Sequence, residues 1–254
     1  MTHHILRILV ICLILSSCQD EKKPKELPLR FEKKSLTKKA GQNCDTDDYD
    51  CTIISLEVIK AKGPENISEE INKVLEEEVI SLIASEENPG IENLEALAEI
   101  FISDYLKASE SFSEEPAWEA YVNESIYKKT DNLICIGITA EIFSGGAHGY
   151  KSITFLNFDP KTGEELTWKD IFTEDFKGFA EEKFRSEFEI PAGENINSTG
   201  FWFENDTFQL PSNIGFSEDK VILAYNIYEI APYAEGDFYL EIPLDEARQF
   251  LKFE

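Results

Sequence analysis

From Leu133 to Ile142 apolar and other positions alternate, placing Ile134, Ile136, Ile138, Ala140 and Ile142 on one face of a strand. Gly145-Gly146-Ala147-His148-Gly149 follows as a turn, because glycine reaches positive φ without steric cost. Tyr150–Phe158 resumes as a strand and Asp159-Pro160-Lys161-Thr162-Gly163 ends it. Trp118–Tyr127 is a strand that Lys129–Asn132 turns into this pair, which makes an antiparallel meander. Upstream, Thr52–Lys60 predicts a strand. Asn66 with Glu69 predicts a helix start, and Ile67, Ile71, Val74, Leu75, Val79 and Leu82 recur at helical spacing. Asn88-Pro89-Gly90 breaks that helix, and Leu94, Ala98, Phe101, Ile102 and Tyr105 line a second one.

Downstream, a helix from about Glu174 carries Phe176, Phe179, Ala180, Phe184 and Phe188 on its apolar side. Ile190–Gly200 is a loop, and short strands are expected at Phe201–Phe203 and Thr207–Leu210. A long strand is expected over Lys220–Ile230, a further one over Asp237–Leu244, and a short closing helix from Asp245. The fold class expected is α+β: an antiparallel sheet with two helices in the N-terminal half, and one longer helix plus a short closing helix in the C-terminal half.

The N-terminus changes the picture. Arg7 precedes the apolar run Ile8–Leu15, which is too short for the roughly 20 residues of a spanning helix and suits a secretion signal. Leu15-Ser16-Ser17-Cys18 resembles the lipobox of bacterial lipoproteins. That resemblance implies cleavage before Cys18, lipid on its sulfur, and anchoring in the cell envelope, on the periplasmic side or at the cell surface. Gln19–Gln42, rich in Lys and Glu with two prolines, is expected to be an unstructured basic tether. The organisation expected is a signal peptide over 1–17, a lipidated cysteine and tether over 18–42, and two halves of the body over 43–158 and 159–254.

With Cys12 in the signal and Cys18 lipidated, Cys44, Cys51 and Cys135 remain. In an oxidising envelope Cys44 and Cys51, bracketing an acidic loop, are natural disulfide partners. Cys135 lies inside the alternating strand, on the face opposite the isoleucines, as a buried inert thiol. The acidic loop lacks the glycine and the glutamate of a calcium-loop motif, so no metal is assigned to it.

Charge narrows the partners. Fifty acidic residues face 24 basic ones, for a formal net charge of −26. Residues 19–40 hold eight basic and four acidic side chains and Arg7 adds one more positive charge, so residues 41–254 carry −31. Nucleic acid is excluded as a partner because phosphate contacts need a basic face. The membrane is contacted through the lipid anchor alone.

Two separated motifs carry a resemblance. The first is Gly145–Tyr150 followed by Leu156-Asn157-Phe158-Asp159, Thr162-Gly163 and Leu166-Thr167; the second is Tyr225-Asn226-Ile227-Tyr228-Glu229-Ile230-Ala231-Pro232-Tyr233-Ala234-Glu235-Gly236. In this order they resemble the RsiV-like extracytoplasmic module, shared between a lysozyme-binding anti-sigma factor and the non-catalytic N-terminal domain of PdaC-type peptidoglycan deacetylases. The resemblance spans about 44–254. It implies an α+β binding body, without the cytoplasmic segment that anti-sigma action needs and without the metal-bearing deacetylase domain.

His148 is the one histidine beyond the leader, and no zinc-binding or nucleophile-elbow motif occurs. His148 either hydrogen-bonds across its own glycine turn or touches a ligand. Glu141, Asp159, Asp170 and Glu229 lie near the motifs but are assigned no catalytic role, since in so acidic a chain some pair is always close. Tyr225, Tyr228, Tyr233 and Tyr239 either pack or stack on a ligand, with Tyr233 the one expected to be exposed. The candidate binding residues are His148, Tyr150, Tyr228, Glu229 and Tyr233. The function expected is a non-enzymatic, lipid-anchored binding module, without cofactor, for a cationic protein such as lysozyme or for peptidoglycan. The alternatives are a cell-wall glycan hydrolase using paired carboxylates, or a structural subunit of an envelope complex.

Overall fold

The computed structural model describes residues 27–41, 44, 51–85, 88, 90–112 and 114–253. The expected signal segment, Cys18 and residues 19–26 of the expected tether lie outside these residues. The element order is β1 (Arg30–Ala40), β2 (Thr52–Lys62), α1 (Glu65–Ile83), α2 (Leu94–Ser111), β3 (Glu119–Lys129), β4 (Ile134–Phe143), β5 (Tyr150–Phe158), α3 (Trp168–Ile171), α4 (Asp175–Glu187), β6 (Asn213–Phe216), β7 (Lys220–Tyr225), β8 (Phe238–Pro243) and α5 (Leu244–Ala247). The α+β class expected from the pattern is the one observed.

Strands β1 to β5 form one sheet in sequence order, and β6, β7 and β8 form a second, antiparallel sheet. Only β2 and β3 run parallel, over Ile53–Glu57 against Glu119–Asn123. A parallel connection needs a crossover, and α1 with α2 supplies it. The two helices cover one sheet face, burying Ile71, Leu75 and Val79 from α1 and Leu97, Ala98 and Phe101 from α2 against Ile54, Leu56, Ile134, Ile136 and Ile138. The opposite face of β4 and β5 is also buried. Leu133, Cys135, Ile153 and Phe155 meet α4 and the second sheet, around the fully buried Phe172, Phe176, Phe184 and Phe216. The chain is therefore three layers deep over β4 and β5. Cys135 is buried as expected, and that burial pushes its thiol up to about 12, against weaker opposing effects of the Phe216 N–H and the Lys128 charge.

Residues 30–40, expected to belong to an unstructured tether, are instead β1, paired with β2 along its whole length. Its lysines hid it. On an edge strand charged side chains are favoured, since they discourage pairing with another chain, and they mask the alternation of a core strand. Phe31 and Leu36 pack against the core, Lys38 pairs with Glu99 at 2.8 Å, and Lys129 lies 5.2 Å from the centre of the Phe31 ring. The Cys44–Cys51 disulfide, with Cα atoms 5.1 Å apart, closes the β1–β2 connection.

Other boundaries move for local reasons. Helix α1 begins at Glu65 after Pro64, whose carbonyl takes the Ser68 N–H at 2.9 Å, so Asn66 is not its cap. Asn93 does cap α2, accepting from the Ala96 N–H at 2.9 Å. Phe201–Phe203 and Thr207–Leu210 are not strands. The Asn197 side chain accepts from the Phe203 N–H at 2.7 Å and donates to its carbonyl at 2.9 Å, occupying the groups a neighbouring strand would use. Strand β7 stops at Tyr225, five residues early, because the chain turns at Asn226–Glu229.

Phe155 sits between two glycines. A Cβ on Gly215 of β6 would lie 2.6 Å from the Phe155 ring, and one on Gly137 of β4 would lie 3.2 Å from it and 2.4 Å from Tyr127. Tyr127 meets Phe155 edge-on at 5.1 Å, so the ring has no room to swing aside. Gly215→Ala is expected to destabilise the fold by about 1–3 kcal/mol through overpacking. Urea unfolding of the two proteins measures this, and equal midpoints would refute the close-approach account.

Candidate functional site

The glycine turn and the loop after β7 meet at one corner of the molecule. Gly145 and Gly146 have φ of 87° and 85°, so the β4–β5 connection needs glycine at both positions. On the other side the loop is pinned to β5 by Asn226. Its side chain accepts from the Ile153 N–H at 3.0 Å and donates to the Ile153 carbonyl at 2.9 Å. Its own N–H donates to Glu229 Oε2 at 2.9 Å, and the Glu229 N–H donates back to the Asn226 carbonyl at 3.0 Å. This tight turn places Tyr228 at φ 71°, a left-handed conformation that tyrosine rarely adopts and that costs about 1–3 kcal/mol.

The five candidate residues come together here. The His148 ring stacks on Tyr233 at 4.0 Å between centroids, and Tyr228 lies 5.5 Å from Tyr233. The Tyr233 hydroxyl donates to the Gly149 carbonyl at 3.1 Å. His148 Nδ1 is also 3.1 Å from that carbonyl, which can only accept, so Nδ1 carries a hydrogen there. His148 thus bonds within its own turn while keeping its ring on Tyr233. Tyr150 stands close enough to Glu229 for that charge, after part-burial, to raise its phenol. The Glu229 carboxyl is itself raised by desolvation, against the opposing Asn226 N–H.

Exposure corrects one expectation. Tyr228 is 52% exposed, whereas Tyr233 is half-buried by its contacts with His148 and Gly149. Trp202, 46% exposed, falls in a segment whose pattern predicts only a short strand. Its indole N–H donates to the Glu229 carbonyl at 3.3 Å and its backbone N–H to the Ile230 carbonyl at 3.0 Å. No local pattern marks it, since it reaches the site only through the loop that packs beneath it. The surface so formed is a set of exposed rings beside the Glu229 segment, whose carboxyl is itself exposed and only partly desolvated.

The remaining acidic candidates have structural partners. Glu141 pairs with Lys151 at 2.8 Å, Asp159 accepts the Lys161 N–H at 2.7 Å, and Asp170 closes a capping box with Thr167 at the start of α3. Among the described residues no cluster of three or more His, Cys, Asp and Glu side chains could hold a metal ion.

A second unusual group is structural. Beyond Glu57 strands β2 and β3 part, and the buried Glu124 of β3 fills the gap, Oε2 accepting the Ile59 N–H at 2.6 Å. Two residues on, the Asn72 amide bonds both the N–H and the carbonyl of Ala61, at 2.7 and 3.1 Å. Glu124 Oε1 has no hydrogen-bond partner among the described residues, and burial raises the carboxyl to about 7, the Ile59 hydrogen bond opposing. Alternation with Ala120 and Val122 marks this inward position in the sequence. The folded protein keeps the Glu124 proton to about pH 7, whereas the unfolded chain releases it near the ordinary value of 4.5. Between those values the native state holds more protons, so this group's contribution falls as pH rises, by about 3 kcal/mol in all. Glu124→Gln is therefore expected to unfold at higher urea than the parent at pH 8, with the difference shrinking at pH 5. The same difference at both values would show that Glu124 does not titrate in this window.

Comparison with known proteins gives a fold and a family match without an activity. Residues 169–245 match the family described as "Protein of unknown function (DUF3298)". The chain is similar to the crystal structure of a DUF3298 family protein from Pseudomonas aeruginosa PAO1, with a TM-score of 0.64 and 21% identity, over 89% of this chain and 95% of that one. It is also similar to a member of the same family from Bacteroides fragilis NCTC 9343, with a TM-score of 0.61 and 21% identity over the same shares. No curated protein matches the chain.

Proposed function

We propose that this protein is a non-enzymatic binding module, held in the bacterial cell envelope by lipid on Cys18, whose corner of exposed rings docks a strongly basic protein of the lysozyme type. The observation that carries the reading is the grouping of the exposed Tyr150, Trp202 and Tyr228 with Glu229, whose carboxyl is exposed yet raised by partial desolvation. Lysine and arginine side chains bind over aromatic faces, and a carboxylate beside those faces adds a charged partner. Tyrosine and tryptophan are also the residues that most often dominate protein interfaces. A net charge of −26 would speed the encounter with a basic partner and make it sensitive to salt. Peptidoglycan is the second reading, because the same rings can stack on sugars.

Titrating the full chain with lysozyme and with soluble cell-wall fragments, at low and at high salt, separates the two. The basic-protein reading expects lysozyme binding that weakens more than about threefold with salt, and a loss of about tenfold or more in Tyr228→Ala or Glu229→Gln. Binding of the glycan fragments alone, indifferent to salt, would replace it with the second reading.

The anchor is tested separately. In the native host, the full chain is expected in the membrane fraction with labelled palmitate incorporated, and Cys18→Ser is expected to lose the label and leave that fraction. Retention of the label by the variant would overturn lipidation at this cysteine.

A further inference from the structure

A cavity of about 780 Å³ opens where the β3–β4 turn meets the β6–β7 turn and the C-terminal segment. That volume falls in the range of about 300–1,000 Å³ typical of small-molecule sites. Leu133 and Phe216 close its base, 2% and 1% exposed, and the apolar surface open to a ligand belongs to the half-buried Leu244, Leu251 and Phe253. Its mouth is cationic in a chain where acidic residues outnumber basic ones two to one.

Three basic side chains line it: Lys128, Arg248 and Lys252. Lys128 Nζ donates to the Ser217 and Glu218 carbonyls at 2.9 and 2.8 Å, and Lys252 Nζ donates to the Lys169 carbonyl. Those acceptors are neutral, so the bonds fix the two ammonium groups without cancelling their charge. The Arg248 guanidinium is exposed and has no hydrogen bond or ion pair among the described residues. One carboxylate, Glu218, lines the cavity, and Asp170 is close enough to Lys252 to feel its field. Elsewhere in the molecule carboxylates take up lysines, as in Lys38–Glu99, Lys151–Glu141 and Lys183–Glu246. Here cations are left over beside an apolar pit.

We infer that this cavity binds a single-chain alkyl carboxylate, its tail against Leu244, Leu251 and Phe253 and its carboxylate at Arg248. Guanidinium is the side chain best shaped for a carboxylate, because its donors form two parallel hydrogen bonds with it. The tail gains by leaving water, up to about fourfold in affinity for each methylene buried. A cationic amphiphile of equal length would gain the same from its tail but meet three like charges at the mouth.

The test titrates the full chain with dodecanoate below its micellar concentration, reading displacement of a fluorescent fatty-acid probe. Octanoate and dodecyltrimethylammonium are run beside it, and the same series is run on Arg248→Glu and Arg248→Leu. Arg248 is exposed, so both variants are expected to keep the parent's thermal midpoint. The inference expects dodecanoate to displace the probe, octanoate to need at least tenfold more, and the ammonium to displace little. Arg248→Glu should weaken dodecanoate at least tenfold and Arg248→Leu by less. Equal displacement in parent and variants, or equal competition by the ammonium, would overturn the site.

Discussion

Strands β4 and β5 must be covered on both faces, and the rest of the fold follows from that requirement. The even positions of β4 are isoleucine and alanine, buried under α1 and α2. Leu133, Cys135, Ile153 and Phe155 on the other side would leave an apolar surface in water if the chain ended at β5. The C-terminal segment answers this with a second sheet and a phenylalanine-rich helix. Two glycines let the layers approach closely enough to enclose the Phe155 ring. The two apolar clusters therefore share a strand pair without merging, one on each face.

The seams between these parts are closed by asparagine side chains. Asn226 on Ile153, Asn72 on Ala61 and Asn197 on Phe203 each satisfy both the N–H and the carbonyl of one residue. An amide carries a donor and an acceptor side by side, so it can stand in for one residue of a missing neighbour strand. Asn157 adds a bond to the Ile214 carbonyl at 2.7 Å, and the Leu166 N–H bonds the Asn157 carbonyl at the same distance. The outer edge of β5 is thereby occupied without a sixth strand, which also removes it as a template for aggregation. The same device holds the aromatic loop: the Asn226 contact that seals β5 sets the turn from which Tyr228 and Glu229 project.

Charge is sorted spatially as well as by number. Lysines are concentrated on the edge strand β1, where they protect an open edge, and a second group of cations surrounds the cavity beside the C-terminus. Over residues 41–254 as a whole acidic side chains outnumber basic ones about three to one. A basic partner and an anionic amphiphile would accordingly be drawn to different parts of one small body.

Strands β3 to β5, the stripes of α1, α2 and α4, and the α+β class were legible in the sequence, because each rests on periodicity that neighbouring residues impose on one another. The Cys44–Cys51 pair was legible for a similar reason, its two halves being only seven positions apart. Strand β1 was hidden by edge lysines, and the end of β7 by an asparagine whose partner is 73 positions away. At the candidate site, His148, Tyr150, Tyr228, Glu229 and Tyr233 could be nominated from two motifs. Their meeting, the exposure of Tyr228 over Tyr233, and the arrival of Trp202 could not. Local pattern reports which side of an element is apolar; which loops share a corner depends on hydrogen bonds and packing between residues far apart in the chain, and those exist only once the layers have closed.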